Sequence, residues 1–428
     1  MAKKHKKEKN MKKSIKLISL ALALLMIFTL CACGQKDSAA DNEGTLAKAT
    51  VKIGIVEPLS GFAAAYGTPE ANAMELAIEH VNGEDGFRVG DTMVKFEAVS
   101  YDAPDVKESV NATNKLVDRD EVQIIGGWCH PSGFLAARED NNDEELLWMV
   151  GTAAVMQITG SGYDNVFRVR PPGLYTIDCV PRYMYETLGV RNLALIGIFA
   201  DESYNASAEA LQEGFEALGG KICCKETFSS SDTDLYTQVT SVLASEPDAI
   251  FVLGTVEQAA FIHKQARELG YTGIRSGLVG GSASQYLAIC SAEDMEGVYD
   301  FRPVEGSIEV LGEKAKAFHD EYVAKFGEEP NPNAIYGYEQ IIALAAAMQQ
   351  AGTYEDMSAI KDALRALPVP EDCVNGYAPV DGGFMFDECG QAYTYNCAFQ
   401  FVSGDWEYKE ELPSDPDAFT QKLIDYNG

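Results

Sequence analysis

Short apolar runs alternate with segments of helical period along most of the chain. "VKIGIV" (51–56) predicts a strand. "EANAMELAIEHVNG" (70–83) predicts a helix: Met74 and Ile78, with Ala73, Ala77 and Val81, share one face, and Gly83 closes it. "VKFEAVS" (94–100) predicts a strand, and "VKESVNATNKLV" (106–117) a helix that aligns Val106, Val110, Thr113 and Val117. "VQIIGG" (122–127) and "LLWMVG" (146–151) predict two more strands. The order β-α-β-α implies a parallel sheet covered on both faces.

The rhythm restarts after "VFRVRPPG" (166–173). Strands are expected at 193–199, 221–228, 249–254, 275–281 and 297–303, with helices between them that include 207–220 and 258–270. A second parallel sheet follows from this. Beyond 303 the pattern turns helical, at 311–327, 333–352 and 357–367. "GGFMFDECGQAYTYNCAFQFVSGDWEY" (382–408) alternates apolar and polar residues between glycines and predicts a hairpin or short antiparallel edge. The fold class is therefore α/β, with two doubly wound parallel-sheet lobes. The length of 428 residues suits two such lobes better than one core.

Open α/β sheets bind ligands beyond the carboxyl ends of their strands. The segments to watch are 57–67, 127–133 and 151–155 in the first half, and 200–205, 255–258 and 279–284 in the second. The sharpest is "GWCHPSG". Cys129 beside His130 admits three readings: a catalytic or metal pair, a ligand-facing His130, or a structural turn with Pro131 opening a helix. Sequence neighbours on a turn tend to diverge, which weighs against the dyad. Trp128 is either a platform in the cleft or a plug behind the loop. No GxxxxGK[ST] loop occurs, "GLVGGSAS" lacks the strand–GxGxxG–helix order, and the five histidines show no HExxH spacing. The acidic pairs Asp201-Glu202 and Glu328-Glu329 read as solvated surface. No enzyme, metal or cofactor is expected from these motifs.

The N-terminus changes the picture. Eight lysines between Lys3 and Lys16 precede "LISLALALLMIFTL" and then "CACG", the pattern of a secretory signal over 1–32, with a run short for a membrane span. Leu30-Cys31-Ala32-Cys33 resembles a bacterial lipobox, which would make Cys33 the lipidated first residue. A diacylglyceryl group supplies the two chains that stable anchoring needs. Residues 33–49 read as a flexible tether. The net charge is −31; the first 33 residues carry +7, which leaves −38 on the rest. So acidic a body repels nucleic acid and anionic headgroups. The cysteines outside the signal (129, 179, 223, 224, 290, 373, 389 and 397) show no CxxC spacing and are expected mostly as free thiols, with a disulfide among 373, 389 and 397 as the alternative.

From about 50 to 408 the chain resembles the Leu/Ile/Val-type solute-binding proteins of bacterial ABC importers, with their type I periplasmic-binding-protein fold. "VKIGIVEPLSGFAAAYG", "NKLVDRDEVQIIGG", "NVFRVRPP", "DAIFVLGTVEQAAFIHKQARELGYTG", "EGVYDF" and "YGYEQIIALAAAMQQAG" carry the likeness. The resemblance implies two lobes, 50–171 with 304–373 and 172–303 with 374–408, joined by crossings near 171, 303 and 373–380. Residues 409–428 are left as a tail or helix. It implies as partners a small solute, permease and ATPase subunits of an importer, and the membrane through the lipid anchor. Residue by residue, it matches the family's binding positions to Tyr66, to His130 with Ser132 close by, to Ala153, Val155, Tyr204, Thr255 and Gly280 with Gly281 beside it; Trp128 and Cys129 complete the loop. Ala153 would offer its carbonyl to an ammonium. Val155 replaces a hydroxyl, Thr255 an aromatic and Gly280 an acid. An amino-acid-like solute other than a plain branched-chain amino acid is expected, its anionic group held by backbone N–H groups at 129–133 and 280–284. A ligand sensor of the same fold, binding an amide or aromatic acid, is the alternative.

Overall fold

A computed structural model describes residues 46–427, except 62, 161, 230 and 306. The leader and Cys33 lie outside the described residues. Among those described, no helix is long and apolar enough to cross a membrane.

Two sheets organise the chain. The first has the order β2 (Phe87–Val89), β3 (Thr92–Asp102), β1 (Ala47–Glu57), β4 (Ile124–Gly127), β5 (Leu147–Val150) and β6 (Val166–Arg168). β1 lies between β3 and β4, parallel to both, and β2 turns back antiparallel on the edge. The second has the order β15 (Asp405–Glu411), β14 (Asn396–Val402), β11 (Tyr299–Pro303), β10 (Ile274–Gly277), β9 (Ala249–Leu253), β7 (Asn192–Gly197) and β8 (Lys221–Thr227). Its five central and outer strands from β11 to β8 are parallel, and β14 and β15 close the other edge antiparallel. β12 (Tyr377–Ala378) and β13 (Tyr393–Thr394) form a small antiparallel pair that lies in sequence between β11 and β14 of the second sheet.

The helix Pro332–Ala351 lies against the helix Ala64–Asn82 and is buried along most of its length. The close approach depends on Gly337: a Cβ there would stand 2.2 Å from the Glu70 carbonyl oxygen. Ile53, Ile55, Met74, Phe96 and Ile341 share this core. A separate core on the other face of the first sheet gathers Ile125, Trp128, Phe134 and Trp148. The second sheet is likewise covered on both faces.

Several expectations shift. The tether ends earlier than residue 49, because β1 already pairs with β3 from Ala47, opposite Thr92. The first helix starts at Ala64 rather than 70, so Tyr66 is helical. Pro69 inside that helix cannot donate to the Ala65 carbonyl; the Asn331 amide donates to it instead, at 3.2 Å. The helix expected at 207 starts at Glu202, because the Asp201 carboxylate caps it through the Ser203 and Tyr204 N–H groups. The second sheet is mixed rather than parallel throughout. The hairpin continues to Glu411, and the chain ends in a helix, Pro416–Asn427, that buries Phe419 and Leu423. All eight described cysteines are free.

Candidate functional site

The loop after β4 resolves the "GWCHPSG" motif. Trp128 takes φ 76° and is 2% exposed, with its ring 5.4 Å from Phe134 and 5.7 Å from Trp148. It is the plug behind the loop, and its assignment to the ligand face is corrected: an indole packed among two aromatic rings presents no surface to a solute. His130 caps the helix Pro131–Asp140, its Nδ1 accepting from the Gly133 N–H at 3.0 Å. An accepting Nδ1 places the proton of a neutral ring on Nε2, which leaves His130 one donor to offer. The Cys129 N–H donates to Glu57 Oε1 at 3.1 Å. Burial, reinforced by Glu57 and Glu70, drives the Cys129 thiol far above its ordinary pKa. A thiol held protonated, beside an imidazole already used as a cap, is not a nucleophile–base pair.

The remaining candidates fall into two groups. Ser132 is exposed and Tyr66 is 55% exposed; both belong to the first sheet's layers. Tyr204 is half-buried on the first turn of the helix Glu202–Ala217. Its phenol is pushed up by burial first, then by Asp201 and by Tyr66. The two tyrosines therefore stand within electrostatic reach of each other, one from each sheet's layers. Thr255 is exposed at the start of the helix Val256–Glu268, its hydroxyl donating to Gln258. Gly280 has φ 73°, and a Cβ there would meet nothing within 4 Å. Space is thus open where the resemblance places an acid.

Two expectations about the backbone are corrected. Ala153 is fully buried, and its carbonyl accepts from Arg168 Nη1 at 3.0 Å; the half-buried Val155 gives its carbonyl to the same nitrogen at 2.6 Å. A guanidinium already occupies the place proposed for an ammonium. Part of the backbone meant for an anion is also engaged. Those of Val279 and Gly280 donate to Asp300 Oδ1 at 3.1 and 3.3 Å, and that of Ser282 to Gln285 Oε1 at 2.8 Å. Gly281 offers its carbonyl to Arg302 Nη1 at 3.2 Å.

Beneath these loops lie acids that sequence reasoning missed. Glu57 and Glu70 are both fully buried and hydrogen-bond to each other. Glu70 also accepts from the Thr152 hydroxyl and from Gln340 Nε2 at 3.1 Å. Gln340 Oε1 in turn accepts from the Gly127 N–H at 2.8 Å. Gly151 makes room for this: a Cβ there would stand 1.7 Å from Glu70 Oε1. Burial pushes both carboxyls up, Glu70 to about 7 and Glu57 well beyond its ordinary value. Two carboxyls in contact cannot both ionise cheaply, so Glu57 keeps its proton and donates it to Glu70. A second cluster lies where the sheets connect. Arg170 Nη1 donates to the Thr152 carbonyl at 3.0 Å, and its Nη2 stands 3.8 Å from Glu305 Oε1. The Tyr336 hydroxyl donates to the same Glu305 oxygen at 3.4 Å. Arg302 Nη1 stands 3.8 Å from Asp300 Oδ2. The signal available was a charged residue within or at the end of an apolar strand: Glu57 closes "VKIGIVE", and Arg168, Arg170, Asp300 and Arg302 interrupt "VFRVRPP" and "YDFRP".

Two α/β layers with mostly parallel sheets, in which Tyr66 of one and Tyr204 of the other interact electrostatically, are the architecture of a two-lobed solute-binding protein. The chain matches the periplasmic binding protein family model over residues 50–401 and belongs to that family. A Leu/Ile/Val-binding protein homolog of Brucella melitensis is 25% identical over 358 residues, 81% of this chain and 87% of its own length. The branched-chain amino acid transporter substrate-binding protein of Streptococcus pneumoniae, solved with isoleucine, is 25% identical with a TM-score of 0.66, and the match covers 85% of this chain and 99% of that one. A solute-binding protein of Rhodopseudomonas palustris, solved with benzoate, shares the fold at 15% identity and a TM-score of 0.62, covering 85% and 97%.

Proposed function

We propose that the protein is the extracytoplasmic receptor of an ABC importer, tethered to the outer face of the membrane through a lipid on Cys33, which captures an amino-acid-like solute between its lobes and hands it to permease and ATPase subunits. The lobes are taken as 50–171 with 304–373 and 172–303 with 374–408, save that Tyr377, Met385, Phe386 and Ala392 pack in the first sheet's core and carry 374–394 to the first lobe; they close about the crossings near 171 and 303 and in the segment before β14. The observation that carries the reading is that Tyr66 and Tyr204, one from each sheet's layers, stand within electrostatic reach of each other, with Ser132, His130, Val155, Thr255, Gly280 and Gly281 on the strand-end loops. Tyrosines offer flat walls and a polar tip, a useful pairing for a small organic solute. The relatives named for leucine, isoleucine and valine support the importer class. Against a plain branched-chain amino acid stand the open space at Gly280 and the apolar Val155. A buried ammonium deprived of its acceptors costs several kcal/mol, or orders of magnitude in affinity. A thermal-shift screen of the purified chain against amino acids and small organic acids and amides tests this. A solute should raise the melting temperature with increasing excess. A screen in which no member does so contradicts the receptor reading, and tight binding of leucine, isoleucine or valine contradicts the solute class.

A further inference from the structure

We infer that Arg170 and Arg302 form a carboxylate-binding subsite at the root of the cleft, with Glu305 as its resident counter-ion. The inference rests on the receptor reading above and names the chemistry of the solute. A solute anion needs donors, and several of the loop N–H groups, those of Cys129, Gly133, Val279, Gly280 and Ser282, already serve internal acceptors. The arginines are differently placed. Arg170 follows β6 and reaches the Thr152 carbonyl, at the end of β5 in the first sheet. Arg302 lies on β11 and reaches the Gly281 carbonyl, in the loop after β10 of the second sheet. One guanidinium therefore leans on a cleft loop of each layer, and both act on the Glu305 carboxyl.

Neither fork is closed on a carboxylate. Their acidic neighbours stand at 3.8 Å in both cases, whereas a charge-assisted bond closes to about 2.7–2.9 Å. The side chains are 31% and 23% exposed. Arg168, two residues before Arg170, shows the contrast: fully buried, it donates to Gln391, Thr159 and the carbonyls of Ala153 and Val155, and it has nothing to offer a solute. Glu305 adds a second mark of function. It has φ 38°, a left-handed conformation that costs a non-glycine residue on the order of 1 kcal/mol and persists where the surroundings enforce it. Burial pushes the Asp300 and Glu305 carboxyls toward their neutral forms, which weakens their hold on the guanidinium groups. A solute carboxylate lying between the two forks would tie both layers to one ligand.

Calorimetry on the full chain with matched acid and amide pairs (isoleucine and isoleucinamide, phenylalanine and phenylalaninamide, benzoate and benzamide) reads this directly. The best binder should be an acid, with its amide at least about 100-fold weaker, since a site built for one polar group rejects the analogue lacking it. Arg170→Gln and Arg302→Gln should each weaken the acid about 30-fold or more. Should either glutamine variant fail to fold, Arg170→Lys and Arg302→Lys keep the charge but lose the fork, and should weaken it about 10-fold. Glu305→Gln should tighten the acid by removing its competitor. An amide bound within about threefold of its acid, lysine variants equal to wild type, or a Glu305→Gln that weakens binding would overturn the subsite while leaving the receptor reading intact. A panel without any binder would instead count against the receptor reading for this class of solute.

Discussion

Replacing Glu70 by glutamine isolates the energetics of the acids under the first sheet's loops. Glu70 is fully buried and its carboxyl is pushed from 4.5 to about 7, by burial first, with the hydrogen bonds of Thr152, Gln340 and Glu57 and the Arg170 charge pulling it back. Between those values the folded chain holds a proton that the unfolded chain has released. Stability from this group is therefore fully present below pH 4.5 and is lost as pH rises through 7. The shift corresponds to about 3 kcal/mol at 1.36 kcal/mol per pH unit. Glutamine carries no such ionisation, but its NH2 group replaces one of the two oxygens that accept from Gln340 and from the Thr152 hydroxyl, and losing one of these bonds costs about 1 kcal/mol. About 0.8 kcal/mol of the wild-type gain is already lost at pH 5, so the variant should match wild type there and be more stable by about 2 kcal/mol at pH 8. Urea unfolding at fixed ionic strength from pH 5 to 8, read at unchanged m-value, measures the difference. Glu57 titrates differently once its partner is neutral, so the rise of the difference with pH is read rather than its exact size, and a difference that stays flat across this range would refute the assignment of the buried proton.

Gly151→Ala places a Cβ against the Glu70 carboxylate and should destabilise the protein by about 3 kcal/mol or more in the same unfolding assay; the double variant with Glu70→Ala should cost less than the sum of the two, and strict additivity would show that the two groups do not meet. Cys129 should react with iodoacetamide far more slowly in the folded chain than in urea, and Cys129→Ser should bind the solute within about threefold of wild type; loss of binding would restore a chemical role for the thiol. Cys33→Ala should accumulate as an unprocessed precursor or be released from cells, and a variant still trimmed at residue 33 and retained in the detergent phase would remove the lipid anchor.

Periodicity revealed the layers because strands buried on both faces and amphipathic helices each leave a pattern that survives without partners. It failed at edges. β2 has three residues, too few for a period to register. The first helix was expected from 70, where its apolar face begins; the donor that lets Pro69 sit inside it, Asn331, is remote in sequence. Tips of strands could be located as the place where ligands bind, but not who faces whom. His130 was legible as a turn residue from Pro131 after it, whereas Trp128 could not be assigned a side until the rings of Phe134 and Trp148 were in place. The Ala153 carbonyl was expected to be free because no local signal shows that Arg168, fifteen residues on, consumes it. The Glu57–Glu70 pair joins the end of a strand to a helix turn, and Gln340, which supports it, is 270 residues from Glu70. Such contacts exist only in the folded chain.

The central claim is that two lobes close on a solute about the crossings near 171 and 303 and in the segment before β14. Small-angle scattering of the full chain, before and after saturation with a solute that shifts its melting temperature, tests it most directly. The account predicts a fall in the radius of gyration that follows the binding isotherm, together with about 2.7 kcal/mol of added stability at a hundredfold excess over Kd. A profile that does not change at saturation, while the stability gain is present, would show that the solute binds without closing the lobes and would contradict it.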